Sequence, residues 1–119
     1  MEKKNTSFPR ESRLTSKINF DRVFASPLCA VKTPFFSIYA CRSELAYPRL
    51  GISVAKRRFK QAVVRNRLRR LIRENFRQCQ AMMPGVDVVV VVKKNFDLLQ
   101  QSKYFGEQMF QGVCDKLQA

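Results

Sequence analysis

Residues 65 to 77 carry six arginines (Arg65, Arg67, Arg69, Arg70, Arg73 and Arg77), no lysine, and Glu74 as the single acid among them. A guanidinium is permanently charged and presents a rigid fork of N–H donors that matches the oxygens of a phosphate. The chemistry on offer is recognition of a polyanion. Arg65, Arg69 and Arg73 follow one another at i+4 spacing, which on a helix sets like charges side by side and costs free energy in isolation. A partner that supplies the missing negative charge removes that cost. With Lys56, Arg57, Arg58 and Lys60 included, residues 56–77 hold ten basic side chains against one acidic, a net +9 out of +14 for the whole chain.

Other chemistries are poorly served. There is no histidine, so imidazole acid–base catalysis and imidazole metal ligation are excluded. Cys29, Cys41, Cys79 and Cys114 lie too far apart for a zinc knuckle and are expected to be free thiols in a reducing cytoplasm. No carboxylate constellation predicts a protein-bound metal, and no catalytic residue is assigned. The segment 1–6 has no apolar stretch of the signal-peptide kind, and the longest apolar run is only residues 88–92, so a soluble cytoplasmic protein is expected.

These charges need elements to hold them. A chain of 119 residues with 45% hydrophobic content and ten phenylalanines suits one packed domain, expected over residues 13–119 behind a loose basic arm at residues 1–12. A short helix is predicted over 17–24, capped by Thr15 or Ser16, with Ile18, Phe20, Val23 and Phe24 near helical spacing. Alternation predicts a strand over 35–41, with Phe36, Ile38 and Ala40 on one face and Phe35, Ser37, Tyr39 and Cys41 on the other. A second strand is predicted over 50–55, one face of which (Gly51, Ser53, Ala55) has no bulk. That face suits close approach of another chain or of a helix equally.

The clearest element is a helix over 62–80. Val64, Leu68, Leu71, Ile72, Phe76 and Cys79 fall in one arc, and Asn66, Arg69, Arg70, Arg73 and Arg77 lie opposite. Met83-Pro84-Gly85 ends it, residues 86–92 read as a strand buried on both faces, and 102–117 as a last helix presenting Phe105, Met109, Phe110, Val113 and Leu117. The pattern is an α+β domain with helices on one side of a small sheet. A membrane-surface role would need the apolar arc that the core already requires. No helix-turn-helix unit precedes the basic helix, whereas an aromatic-bearing sheet beside it suits RNA, so RNA is favoured over DNA.

The run Ala62-Val63-Val64-Arg65-Asn66-Arg67-Leu68-Arg69-Arg70-Leu71-Ile72-Arg73-Glu74 resembles the RNR motif of the bacterial ribonuclease P protein family. Gly51-Ile52-Ser53-Val54-Ala55-Lys56-Arg57 is similar to that family's strand before the motif, Arg13-Leu14 with Phe20-Asp21-Arg22-Val23-Phe24 to its first helix, and Gly85-Val86-Asp87 with the valine run and Lys93 to its last strand. The resemblance implies the order α-β-β-β-α-β-α, a four-stranded sheet and a left-handed β-α-β crossover, which nearly all folds avoid. It implies an accessory subunit whose partners are a large catalytic RNA and precursor tRNA, with no obligate protein partner and no membrane. In that family the RNA, with Mg²⁺ held mainly by RNA and substrate, hydrolyses one phosphodiester to remove the 5′ leader.

By the same resemblance, Arg65, Asn66, Arg67, Arg69, Arg70 and Arg73 face the RNA, extended by Lys56 and Lys60. Phe20, Phe24, Tyr39 and Lys93 correspond to a cleft for the single-stranded leader. Core packing is the competing reading for Phe20 and Phe24. The competing function is that of a ribosomal or other structural RNA-binding protein, which shares the charge and similar folds.

Overall fold

In the computed structural model, which describes residues 13–14, 17–33, 35–83, 85–93 and 110–118, the valine run becomes the strand that the rest of the sheet is built around. The elements are α1 (Lys17–Ala25), β1 (Cys29–Lys32), β2 (Phe36–Arg42), β3 (Arg49–Ser53), α2 (Ala62–Cys79), β4 (Val86–Val92) and α3 (Gln111–Gln118). The sheet order is β1-β2-β4-β3. β4 is antiparallel to β2, with Tyr39 opposite Val89, and parallel to β3, with Gly51 opposite Val89. Parallel neighbours need a crossover, and α2 provides it. Val86, Val88, Val89 and Val90 are fully buried, as expected for a strand covered on both faces.

Period-2 alternation divides these strands between two apolar layers. Phe36, Ile38 and Ala40 join Val88, Val90, Leu68, Ile72, Phe76, Phe110 and Val113 in the larger core beneath α2 and α3. Phe76 and Phe110 meet edge to face at 5.5 Å, which ties α2 to the residue just before α3. On the opposite face Cys41 and Val89 pack with Leu14 and Val23, with Phe20, Tyr39 and Val91 at the margin. The expectation of helices on one side is therefore corrected: α1 covers the other face. Cys41, Val89 and Val91 make that face apolar as well, and a second layer is needed to keep it from water.

α1 also meets the small-residue face of β3. A Cβ on Gly51 would stand 2.6 Å from the Phe20 ring, so what approaches this face is a helix of the same chain. The strand predicted over 50–55 is shorter in the structure and shifted to Arg49–Ser53. The element without a residue-level prediction is β1. Four residues, Cys29-Ala30-Val31-Lys32, are too few to display alternation, and β1 is set by pairing with β2 through a turn that Thr33 closes. There the Phe36 amide donates to Thr33 Oγ1 at 3.1 Å, and the Thr33 amide donates to the Phe36 carbonyl at 2.9 Å. The arm at residues 1–12, the caps Thr15 and Ser16, Pro84, and the part of the last helix holding Phe105 and Met109 lie outside the described residues.

Candidate nucleic-acid interface

α2 forms as predicted because 18 residues free of Gly and Pro place an apolar stripe on the core: Leu68, Ile72, Phe76 and Cys79 are buried. Val64 and Leu71 are only half-buried, while Asn75, outside the predicted arc, is buried and donates to the Leu71 carbonyl at 2.8 Å. The outward side is cationic. Asn66, Arg69, Arg70, Arg73 and Arg77, joined by Arg13 and Glu74, line an open groove of about 610 Å³. Glu74 is claimed by an ion pair to Arg77, whose hydrogen bond holds the carboxyl below its ordinary range. Arg73 is pulled the other way: partial burial, with Arg13 and Arg69 nearby, lowers its proton affinity. The groove is thus a place where positive charge is crowded.

The remaining predicted basic residues fall into two groups. Lys56, Lys60 and Arg67 are exposed, as is Arg70 beside the groove. Arg65 is half-buried and turns back on the segment before its own helix, donating to the carbonyls of Phe59 at 2.7 Å and Lys60 at 3.0 Å. Phe59 is buried in the core, so Arg65 also fixes how the chain enters α2.

On the other face, Phe20, Phe24 and Tyr39 come together. Phe24 meets Phe20 at 6.4 Å and Tyr39 at 5.6 Å, both edge to face. Phe20 is half-buried over Gly51, whereas Phe24 remains 43% exposed and Tyr39 is partly open. Two of the three rings thus leave surface on which an unstacked base can lie. Lys93 is on the same sheet face by alternation, but its amide donates to the Phe35 carbonyl, four residues along from Tyr39 or about 13 Å. Its ammonium reaches the Thr33 carbonyl at 3.3 Å, at the far end of the cleft from the rings.

A buried anchor that sequence reasoning passed over holds α1 in place. Asp87 on β4 is fully buried, receives Nε and Nη2 of Arg49 on β3 at 2.8 Å each, and pairs with Arg22 on α1. The hydrogen bond to Asp87 raises the proton affinity of Arg49. The signal was present: a lone acid inside a valine strand must find cationic partners. Arg22 and Arg49 are therefore occupied within the fold. Among the described residues no group of three His, Cys, Asp or Glu side chains could hold a metal, no disulfide links the cysteines, and no helix is long and apolar enough to cross a membrane.

A cationic helix backed by a mixed sheet, with an aromatic cleft on the opposite face, defines a small basic α+β nucleic-acid-binding protein. Comparison with known proteins narrows the class. A family model described as Ribonuclease P matches residues 8–117. The chain is 43% identical over 98 residues to the ribonuclease P protein component of Haemophilus influenzae (strain PittGG), 82% of each chain, and 48% identical over 88 residues to that of Edwardsiella ictaluri, 74% of this chain and 73% of the other. Its fold is similar to the RNase P protein of Staphylococcus aureus, with a TM-score of 0.70 at 28% identity over 89% of this chain and 94% of that one. For the Thermotoga maritima RNase P protein the TM-score is 0.61 at 32% identity, over 88% and 90%. The chain belongs to the ribonuclease P protein family. It is the protein subunit of a ribonucleoprotein endoribonuclease that processes the 5′ end of tRNA, which places it with an RNA partner rather than among ribosomal proteins.

Proposed function

We propose that the chain acts in the cytoplasm by docking the outward side of α2 on the catalytic RNA and holding the 5′ leader of precursor tRNA in the cleft between α1 and the sheet, while the RNA carries the chemistry. The observation that carries this reading is the alignment of Asn66, Arg69, Arg70, Arg73 and Arg77 along one open groove, in which Glu74, the carboxylate among its described lining residues, is already paired with Arg77. Fixed cationic charge in that groove neutralises phosphates that would otherwise need Mg²⁺. The ions themselves are assigned to RNA and substrate. Among the described residues the acidic side chains do not gather into an oxygen donor set, and Asp87 is bound by two arginines and Glu74 by one.

The leader cleft supplies selection. A base stacked on an aromatic ring contributes about 1–3 kcal/mol, roughly 5- to 150-fold in affinity, and only a substrate that still has its leader can collect it. The test compares binding of precursor and mature tRNA to the enzyme reconstituted with wild-type protein and with Tyr39→Ala. The variant should lose preference for the precursor while binding mature tRNA as before. An equal loss for both forms would remove the cleft from the account.

A further inference from the structure

Arg58 belongs to the basic run that precedes α2, yet the fold turns its guanidinium back on the protein: Nη1 donates to the Lys93 carbonyl at 2.9 Å. The register brings the two residues together. β3 and β4 are parallel, with Ser53 beside Val91, and both chains leave the sheet at the same end, where the segment after β3 passes the residue after β4. With β3 ended, the Lys93 carbonyl takes its donor from that segment, and Arg58 supplies it.

Lys93 is held at two further points. Its amide donates to the Phe35 carbonyl at 2.7 Å, and its ammonium reaches the Thr33 carbonyl at 3.3 Å. Those bonds tie it to the turn between β1 and β2, while Arg58 ties it to the segment between β3 and α2. The base from which Arg58 projects is stiff. The amides of Arg58 and Phe59 both donate to the Ala55 carbonyl, at 3.1 and 3.0 Å, and Phe59 is buried in the core. Arg65, in the first turn of α2, then grips the Phe59 and Lys60 carbonyls. Hydrogen bonds and one buried ring thus connect the start of α2, through Arg58, to Lys93 at the far end of the aromatic cleft.

A lysine side chain is long and loses much rotamer freedom when its ammonium is localised. Fixing its main chain from both sides lowers the further loss on meeting an anion, so the clamp turns a loose charge into a placed one. We propose that Arg58 is a positioning residue: through the Lys93 carbonyl it places the Lys93 ammonium for a leader phosphate and sets that end of the cleft against the start of α2. The inference rests on the reading that the cleft holds the leader. It gives Arg58 a duty distinct from adding charge to the α2 surface.

The test reconstitutes the enzyme with the full wild-type chain, Arg58→Ala, Lys93→Ala and the double variant. Affinity for precursor and mature tRNA is measured across a salt series, together with thermal midpoints of the protein. Arg58→Ala should lower the preference for precursor about fivefold, the worth of one hydrogen bond, while mature tRNA binds as before. Once Lys93→Ala is present, Arg58→Ala should add little, because both changes act on the same ammonium. An Arg58 that met RNA directly as a cation would behave otherwise: its loss would add fully to that of Lys93 and would reduce the salt slope for mature tRNA as well, by about 0.7–0.9. That pattern, an unchanged preference, or an equal weakening for both tRNA forms that follows a fall in midpoint would each overturn the inference. If Lys93→Ala lowers the preference and Arg58→Ala does not, the positioning role alone fails. If Lys93→Ala and Tyr39→Ala both leave the preference unchanged, the leader cleft fails and this inference with it.

Discussion

Asp87 is the single residue on which the geometry of the α1 cleft most depends, because a fully buried carboxylate joins Arg22 of α1 to Arg49 of β3. Removing one member of a buried pair leaves uncompensated charge, so Asp87→Asn should lower stability by about 3 kcal/mol, toward the lower end for buried pairs because the Arg22 side chain is 44% exposed. A urea midpoint shift at unchanged slope checks this. Cys41 and Cys114 make a second residue-scale case: burial raises both thiols above their ordinary 9.0, leaving little thiolate at neutral pH. Alkylation of either in the native protein should be slow and should accelerate on unfolding, as read by mass spectrometry. The arginines of α2 were legible as individual residues because their type and spacing are local facts. The divided duty of Arg65, which clamps the carbonyls of Phe59 and Lys60, was not, because it depends on how residues 55–61 fold back.

At the scale of elements, α2 and β4 could be read directly from the sequence. Eighteen helical residues and seven strand residues give enough periods for a pattern to show. β1 could not, because four residues matter only as partners of β2. The placement of α1 was also hidden: its single buried residue is Val23, and what seats it is the long-range ion pair and the fit of Phe20 over Gly51. The Gly51 face had two explanations in sequence, and the structure selects the helix. Gly51→Val should therefore force the Phe20 ring aside and cost about 1–3 kcal/mol through overpacking. If α1 is displaced with it, preference for leader-bearing tRNA should fall while affinity for catalytic RNA through α2 is retained. Wild-type stability in this variant would show that α1 is held by something other than this contact.

For the whole molecule, the sheet separates two surfaces: the charged side of α2 faces outward beyond one layer, and the Phe24–Tyr39 rings open on the other. Near the β3 edge the two come together, where Arg13 and Phe20 line a pocket with Arg69 and Arg73. A net +14 gives long-range attraction to any polyanion, and this should be strongly screened by salt. Specific docking should appear as a slope that individual arginines change. Arg69→Ala with Arg73→Ala should flatten the salt dependence of RNA binding by about 1.4–1.8, as measured by titration at several ionic strengths. The most direct measurement is leader removal from precursor tRNA by a bacterial ribonuclease P RNA at Mg²⁺ too low for the RNA alone. Adding the wild-type chain should restore cleavage at the mature 5′ end, and the Arg69→Ala, Arg73→Ala variant should restore much less. No stimulation by the wild-type chain under those conditions would contradict the assignment of this protein as the cationic partner of a catalytic RNA.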